Sequence, residues 1–211
     1  LPNIKDNQKS GLACDHWNRF SEDIKLIKKL GVSYYRFSIE WSKIQPERDK
    51  FDLDVLKHYS NKIDQLIDNN IIPVITLYHF THPIWFEEIG AFEKTQNINI
   101  FVSFCKRVFN EYSNKVKYWC TINEPAVVAA QGYCMGIFPP GKKNLNISTI
   151  VLKNLLEAHV QVYRTLKRMK SGSRAKIGIV KNINQFEPWR RWHILDWGIS
   201  NIANYFFNDL T

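Results

Sequence analysis

Apolar residues along the chain recur at two alternating spacings. Phe20, Ile24, Ile27 and Leu30 fall three or four apart, as one face of a helix does, and Gly31 ends the pattern. Val32 to Ile39 is short and rich in β-forming residues, which predicts a strand. After a loop holding Pro46, Asp52 is placed to cap a second helix with the stripe Leu53, Leu56, Tyr59, Ile63, Leu66 and Ile67. Asn69 and Asn70 close it. Ile71 to Tyr78 is the next strand, with Pro73 near its start, where a missing ladder N–H costs least. Ile98, Phe101, Phe104, Val108 and Tyr112 form a third helical face, and Val116 to Ile122 a third strand. Ser148 is expected to cap a helix carrying Val151, Leu155, Leu156, Val160, Tyr163 and Leu166. Gly172 breaks it before a fourth strand at Ile177 to Val180. A last amphipathic stretch runs from about Ile194 to Phe207.

Strand–helix–strand alternation predicts right-handed crossovers, a parallel sheet and the α/β class. The strands are nearly all apolar, as expected when helices cover the sheet. No linker or shift in composition divides the chain, so residues 1–211 read as one domain. Neither a glycine-rich dinucleotide turn nor a Walker loop follows any strand, which disfavours the nucleotide-binding folds with the same alternation. Polar residues cluster instead after the strands, at Glu40-Trp41, His79, Asn123-Glu124 and Asn182. The C-terminal strand ends are where a (β/α)8 barrel keeps its active site.

Composition narrows the class further. Of 211 residues, 45% are hydrophobic, and only nine are Gly and eight Pro, which excludes collagen-like and disordered chains and supplies enough apolar material for a core. No apolar run approaches the ~18 residues that cross a bilayer, so no membrane span is expected. Leu1 opens the chain without a basic-then-apolar leader, so no signal peptide is predicted, and the lack of an initiating Met reads as a fragment or a processed product. Lys and Arg total 29 against 20 Asp and Glu, a net charge of +9. Much of the excess lies on helices, as Lys25, Lys28 and Lys29 or Lys167, Arg168 and Lys170. It is read as a solvated exterior rather than a nucleic-acid surface. Cys14, Cys105, Cys120 and Cys134 form no C-x-x-C pair and meet no His at metal spacing, so no metal is expected and a reduced, cytoplasmic chain fits. Asn146-Ile147-Ser148 spells a glycosylation acceptor, a triplet common by chance that counts only in a secreted chain.

Glu124 is the sharpest chemical candidate. A carboxylate at the end of an apolar strand, beside Asn123 and before Pro125, would have its pKa raised by desolvation and become a proton donor near neutral pH. The alternative is a loop carboxylate that caps the following helix. His79 ends its strand as either a hydrogen-bonded structural residue or a donor to a polar ligand such as a sugar hydroxyl. Arg36 lies in an otherwise apolar strand, where a buried guanidinium needs an anionic partner. Trp41, Trp85 and Trp119 can stack on the apolar face of a sugar ring or fill the core.

Taken together and in order, six segments carry a resemblance. They are Ala13-Cys14-Asp15-His16-Trp17, Tyr35 to Trp41, Leu77-Tyr78-His79-Phe80 with Pro83, and Trp119 to Pro125. Gly132-Tyr133 with Gly136 and Pro140-Gly141, then Gly178-Ile179 with Asn182 and Pro188, complete the set. The chain resembles glycoside hydrolase family 1, the β-glucosidase and 6-phospho-β-glucosidase family, from about Leu12 to Pro188. The resemblance implies an incomplete (β/α)8 TIM barrel, strands two to five of eight, and a retaining β-glycosidase mechanism without a cofactor. It implies Glu124 as general acid/base, Asn123 on the sugar 2-hydroxyl and His79 on the 3-hydroxyl side. It places Arg36 beside the nucleophilic carboxylate, Asn182 on the floor near Glu124, and Trp119 on the leaving-group side. The implied partner is a small β-glycoside. Phe80 stands where the family usually has Trp. The late E-N-G motif that supplies the nucleophile, the upstream Q-x-E-G motif and the late Trp and Glu that grip distal hydroxyls are all absent. Two other readings remain: a 6-phospho-β-glycosidase, and a non-catalytic sugar-binding or interaction module on a degenerate barrel.

Overall fold

The computed structural model describes residues 4–205 and 208; Phe207, in the last predicted amphipathic stretch, lies outside the described residues. Four strands, β1 (Tyr34–Ser38), β2 (Ile72–Tyr78), β3 (Tyr118–Asn123) and β4 (Lys176–Val180), form one parallel sheet in the order β1-β2-β3-β4. Parallel neighbours need a crossover, and each is helical. α1 (Phe20–Lys29) precedes β1. α2 (Trp41–Ile44) and α3 (Leu53–Asp68) lead to β2, then α4 (Ile84–Glu88) and α5 (Ile98–Tyr112) to β3. α6 (Pro125–Ala129) and α7 (Leu145–Lys167) lead to β4, and α8 (Ile194–Asn204) comes last. No helix among the described residues is long and apolar enough to cross a membrane.

The long helices all lie over one face of the sheet. Asp52 caps α3 as expected, its carboxylate accepting from the amides of Asp54 and Val55 at 2.9 and 3.0 Å, and Asn69 ends it. Every residue of the predicted α5 stripe is buried. Helix α7 differs from expectation. Its cap is Asn144, which accepts from the Ile147 amide, while Ser148 lies inside the first turn and donates to the Ala129 carbonyl at 2.8 Å. Its buried stripe is Val151, Leu155, Ala158, Val162 and Leu166, and Leu156 and Tyr163 are exposed. Leu30 and Leu53 also face solvent, because each lies at a helix end beyond the sheet it was expected to cover.

The other face of the sheet is open. A closed barrel fills that space with side chains from the opposite strands. Here Tyr34 is 53% exposed, packing edge-on against Tyr118 at 5.7 Å between ring centres, and Arg36 is exposed too. At the C-terminal rim the open face is supported by an aromatic cluster. Trp41, 1% exposed, lies 4.7 Å from Phe86 and Phe104 and 5.5 Å from Phe101. Gln45 holds both neighbouring indoles: its side chain accepts from Trp41 and its carbonyl from Trp85. These two tryptophans therefore anchor the rim from beneath.

Candidate functional site

Polar side chains converge toward the C-terminal ends of β1, β2 and β3. Arg36 donates through Nε to the Thr76 hydroxyl at 2.8 Å and through Nη2 to Asn123 Oδ1. His79 pairs through Nδ1 with the Ser38 hydroxyl at 2.9 Å. Arg36, Ser38, His79 and Asn123, with Phe37 and Glu124, line an open cleft of about 370 Å3. Arg36 thus has neutral partners where an anionic one was expected, and it is not buried; the open face of the sheet lets water solvate the guanidinium instead.

Regular strand geometry would send Asn123 and Glu124 to opposite faces. Two irregularities prevent this. The pairing of β3 with β4 slips by one residue between Cys120 and Asn123, a bulge that re-aims the residues beyond it. Glu124 then leaves the strand in the left-handed region, φ 45° and ψ 64°. A non-glycine residue there carries strain of about 1–3 kcal/mol, which neighbouring structure must hold in place. The Glu124 amide donates to the Val180 carbonyl at 2.8 Å, and its carbonyl accepts from the amides of Val127 and Val128 at the start of α6. Phe80, just after His79, is also left-handed, with φ 71°. Strain thus sits at both strand exits that flank the cleft.

Electrostatics favour a neutral imidazole. Burial and then the Arg36 charge push the His79 pKa below its ordinary value, against an opposing pull from Glu124. Arg36 also fixes the Asn123 carboxamide: with Oδ1 occupied as an acceptor, Nδ2 is left as the donor available to a ligand. Glu124 is half-buried rather than buried, since the opposite side of the cleft is open. It also borders a small cavity of about 70 Å3 with Asn182, whose Oδ1 accepts from Asn184 Nδ2 at 3.2 Å.

Two other carboxylates near the rim are engaged elsewhere. Glu40 caps α2, accepting from the Ser42 amide and hydroxyl and the Thr81 hydroxyl. Glu187 accepts from Gln185 and lines a separate hollow with Arg191 and Trp197. Trp119 was expected on the leaving-group side but packs in the core. It is 2% exposed, 4.9 Å from the Phe109 ring of α5, and donates to the Val116 carbonyl. Ser38 and Thr76, which orient His79 and Arg36, were not read from the sequence as site residues; a hydroxyl within a β-forming run carries no signal of its own.

A parallel sheet clothed by helices on one face, open on the other and polar at its C-terminal rim, is an incomplete (β/α)8 barrel. The chain matches Glycosyl hydrolase family 1 over residues 2–196, and it belongs to that family. It is 38% identical over 188 residues to the 1,4-beta-D-glucan glucohydrolase of Thermotoga neapolitana, covering 88% of this chain and 44% of that protein. It is 35% identical over 162 residues to the cytosolic beta-glucosidase of Cavia porcellus, covering 75% of this chain and 34% of that protein. Among solved structures, the beta-glycosidase from Pyrococcus horikoshii superposes with a TM-score of 0.83 at 36% identity, over 92% of this chain and 44% of that one. The chain thus spans less than half the length of these relatives.

Proposed function

We propose that this chain supplies the acid/base half of a retaining β-glycosidase active site, as one partial barrel domain across residues 1–211. The observation that carries the reading is the shared orientation of Asn123 and Glu124. A bulge and a strained left-handed residue bring an amide donor and a carboxyl group to one cleft beside His79 and Arg36. In the first step Glu124 protonates the leaving oxygen as the glycosidic bond breaks; in the second it takes a proton from the attacking water. Asn123 Nδ2 donates to the sugar 2-hydroxyl, and neutral His79, oriented by Ser38, binds the 3-hydroxyl side. Arg36 holds Asn123 in place and favours ionisation of a nearby carboxylate nucleophile. Asn182 lines the floor below Glu124.

Retention needs a second carboxyl group about 5–5.5 Å from the first. Among the described residues, Glu124 is the sole carboxylate lining this cleft. The 211-residue chain alone is therefore expected to show no turnover of an aryl β-glucoside above buffer. The substrate class we favour is a small β-glucoside, by analogy with relatives named as a 1,4-beta-D-glucan glucohydrolase and a cytosolic beta-glucosidase. Four unpaired cysteines suit a reducing, cytoplasmic setting.

The test is Glu124→Gln in a full barrel that contains these residues. Substrates with very good leaving groups should keep a near-normal first step, and those with poor leaving groups should lose it, because only the latter need the proton. Equal loss for both classes would reject the acid assignment. Hydrolysis by the isolated chain, abolished by Glu124→Ala, would reject the half-site reading and bring Glu40 or Glu187 into the nucleophile's role.

A further inference from the structure

The basic charge is not spread evenly over the molecule. At the N-terminal ends of β3 and β4, the end of the sheet away from the cleft, lies a groove of about 460 Å3. One wall runs from Ser113 to Lys117, where α5 turns into β3. The other runs from Ser171 to Lys176, where α7 turns into β4. The Lys176 amide donates to the Lys117 carbonyl at 2.7 Å, so the two strand entries lie side by side. Their side chains bring Lys115, Lys117, Arg174 and Lys176 to one opening, and no acidic residue lines it.

These cations are not equally compensated. The Lys115 ammonium sits 2.7 Å from the Asp64 carboxylate. The Lys117 ammonium lies 5.5 Å from the centre of the Tyr118 ring, which leaves its charge intact. Among the described residues, Lys117, Arg174 and Lys176 have no carboxylate at ion-pair distance. Like charges on neighbouring strands disfavour each other. The segments that lead into the other two strands hold no cation of their own, Gly31-Val32-Ser33 before β1 and Asn69-Asn70-Ile71 before β2, and the one ammonium that reaches them among the described residues, that of Lys28, donates to Asn69 Oδ1 at 3.2 Å. A concave opening lined by cations of one sign focuses positive potential.

We infer that this groove is a binding site for a small anion bearing more than one phosphate group, of the inorganic polyphosphate class. Lys117, Arg174 and Lys176 neutralise its charge, and the hydroxyls of Ser113 and Ser173 donate to its oxygens. The planar donor fork of arginine matches phosphate oxygens. Three free cations call for a ligand of charge near −3 or −4, beyond what a single carboxylate carries. The volume is that of a small-molecule site, within the range of about 300–1,000 Å3. The site is independent of the glycosidase reading and lies at the other end of the strands from it.

Calorimetric titration of the 211-residue chain with inorganic triphosphate tests this. We expect saturable one-to-one binding that weakens from 50 to 200 mM NaCl. Each cation removed should weaken it about fivefold, the worth of one close charge pair in water, so Lys117→Gln with Arg174→Gln should lose about 25-fold. Both side chains are exposed, so the variant should keep the wild-type circular dichroism spectrum. Lys25→Gln with Lys29→Gln on α1 removes the same charge elsewhere and should change affinity less than twofold. Equal losses in the two variants would reduce the effect to net charge and overturn the site. So would the absence of saturable binding, or equal binding of sulfate at matched ionic strength. A single-stranded oligonucleotide that bound more tightly through the same residues would reassign the groove to a nucleic-acid backbone and overturn the small-anion proposal.

Discussion

Replacing Lys62 by Met should stabilise the fold at neutral pH and lose that advantage in alkali. Lys62, on α3, is only 5% exposed. Its ammonium lies 4.3 Å from the Phe20 ring centre and 5.1 Å from that of Phe37, and Nζ is 2.8 Å from His16 Nε2. His16 is itself held by Asp23 at 2.5 Å. Burial lowers the Lys62 pKa from 10.5 to about 8, although Asp23 pulls the other way. That difference corresponds to about 3 kcal/mol of disfavour for the charged form at pH 7. Met keeps the buried aliphatic stem and removes the ammonium, at the loss of one hydrogen bond of about 1 kcal/mol; the ring contacts act on the charged form alone and are part of its net disfavour. The net expectation at pH 7 is stabilisation of about 2 kcal/mol. The sign comes from linkage. A lysine whose folded pKa is depressed binds fewer protons folded than unfolded between pH 8 and 10.5, so wild-type stability gains from this residue as pH rises through that window. Above 10.5 both states hold a neutral amine, and the difference between variant and wild type should have reversed to about 1 kcal/mol in favour of lysine, the worth of its hydrogen bond. Urea denaturation of both proteins from pH 7 to 10.5 measures that difference, in which the tyrosines that titrate in both proteins cancel. A difference that does not change with pH would refute the argument that the Lys62 ammonium is held out of water.

Local geometry sets three further outcomes. Asp52→Ala removes the cap of α3 and should cost about 1 kcal/mol, read as a lower urea midpoint with an unchanged slope. Gly172→Ala would place a Cβ 2.2 Å from the Leu166 carbonyl oxygen and 2.5 Å from that of Lys167, in the turn that Lys167 Nζ ties to the Gly172 and Ala175 carbonyls. A cost of about 3 kcal/mol is expected by thermal melting. Burial lowers the pKa of His79 and His159, so the unfolded chain takes up protons first as pH falls below 6.5. Stability should be full above that value and decline below it, and His159→Gln should flatten the decline in urea titrations between pH 7 and 5.

How much of the fold is legible in the sequence depends on how regular each element is. The α5 stripe reads correctly because one face of a 15-residue helix is apolar and all of that face is buried. Helices α2, α4 and α6 have four or five residues, too few to display a period, and no pattern reveals them. On α7 apolar residues lie on more than one face, so Leu156 and Tyr163 count into the predicted stripe although the sheet does not reach them. The placement of Arg36 in a buried ion pair assumes two covered faces, whereas this sheet has one.

The site itself rests on the places where period-two alternation fails. In an unbroken strand, Trp119, Thr121 and Asn123 would share one face, and Trp119 would then look into the cleft with Asn123. The slip between Cys120 and Asn123 separates them. Thr121 pairs with His159 of α7 and Trp119 packs on Phe109, both on the helix side, while Asn123 meets Arg36 on the open side. The same break of phase occurs on β2. Thr76 bonds Arg36 on the open side, but two residues later Tyr78 is among the helix-side rings of Phe92 and Phe101, which frees His79 to pair with Ser38. Asn123 and His79 are therefore recognisable by type and by their position at the end of an apolar strand. The direction in which each points is not, because it is fixed by a backbone irregularity that leaves no mark in the hydrophobic pattern. One and the same irregularity turns Trp119 to the helix side and Asn123 to the open side.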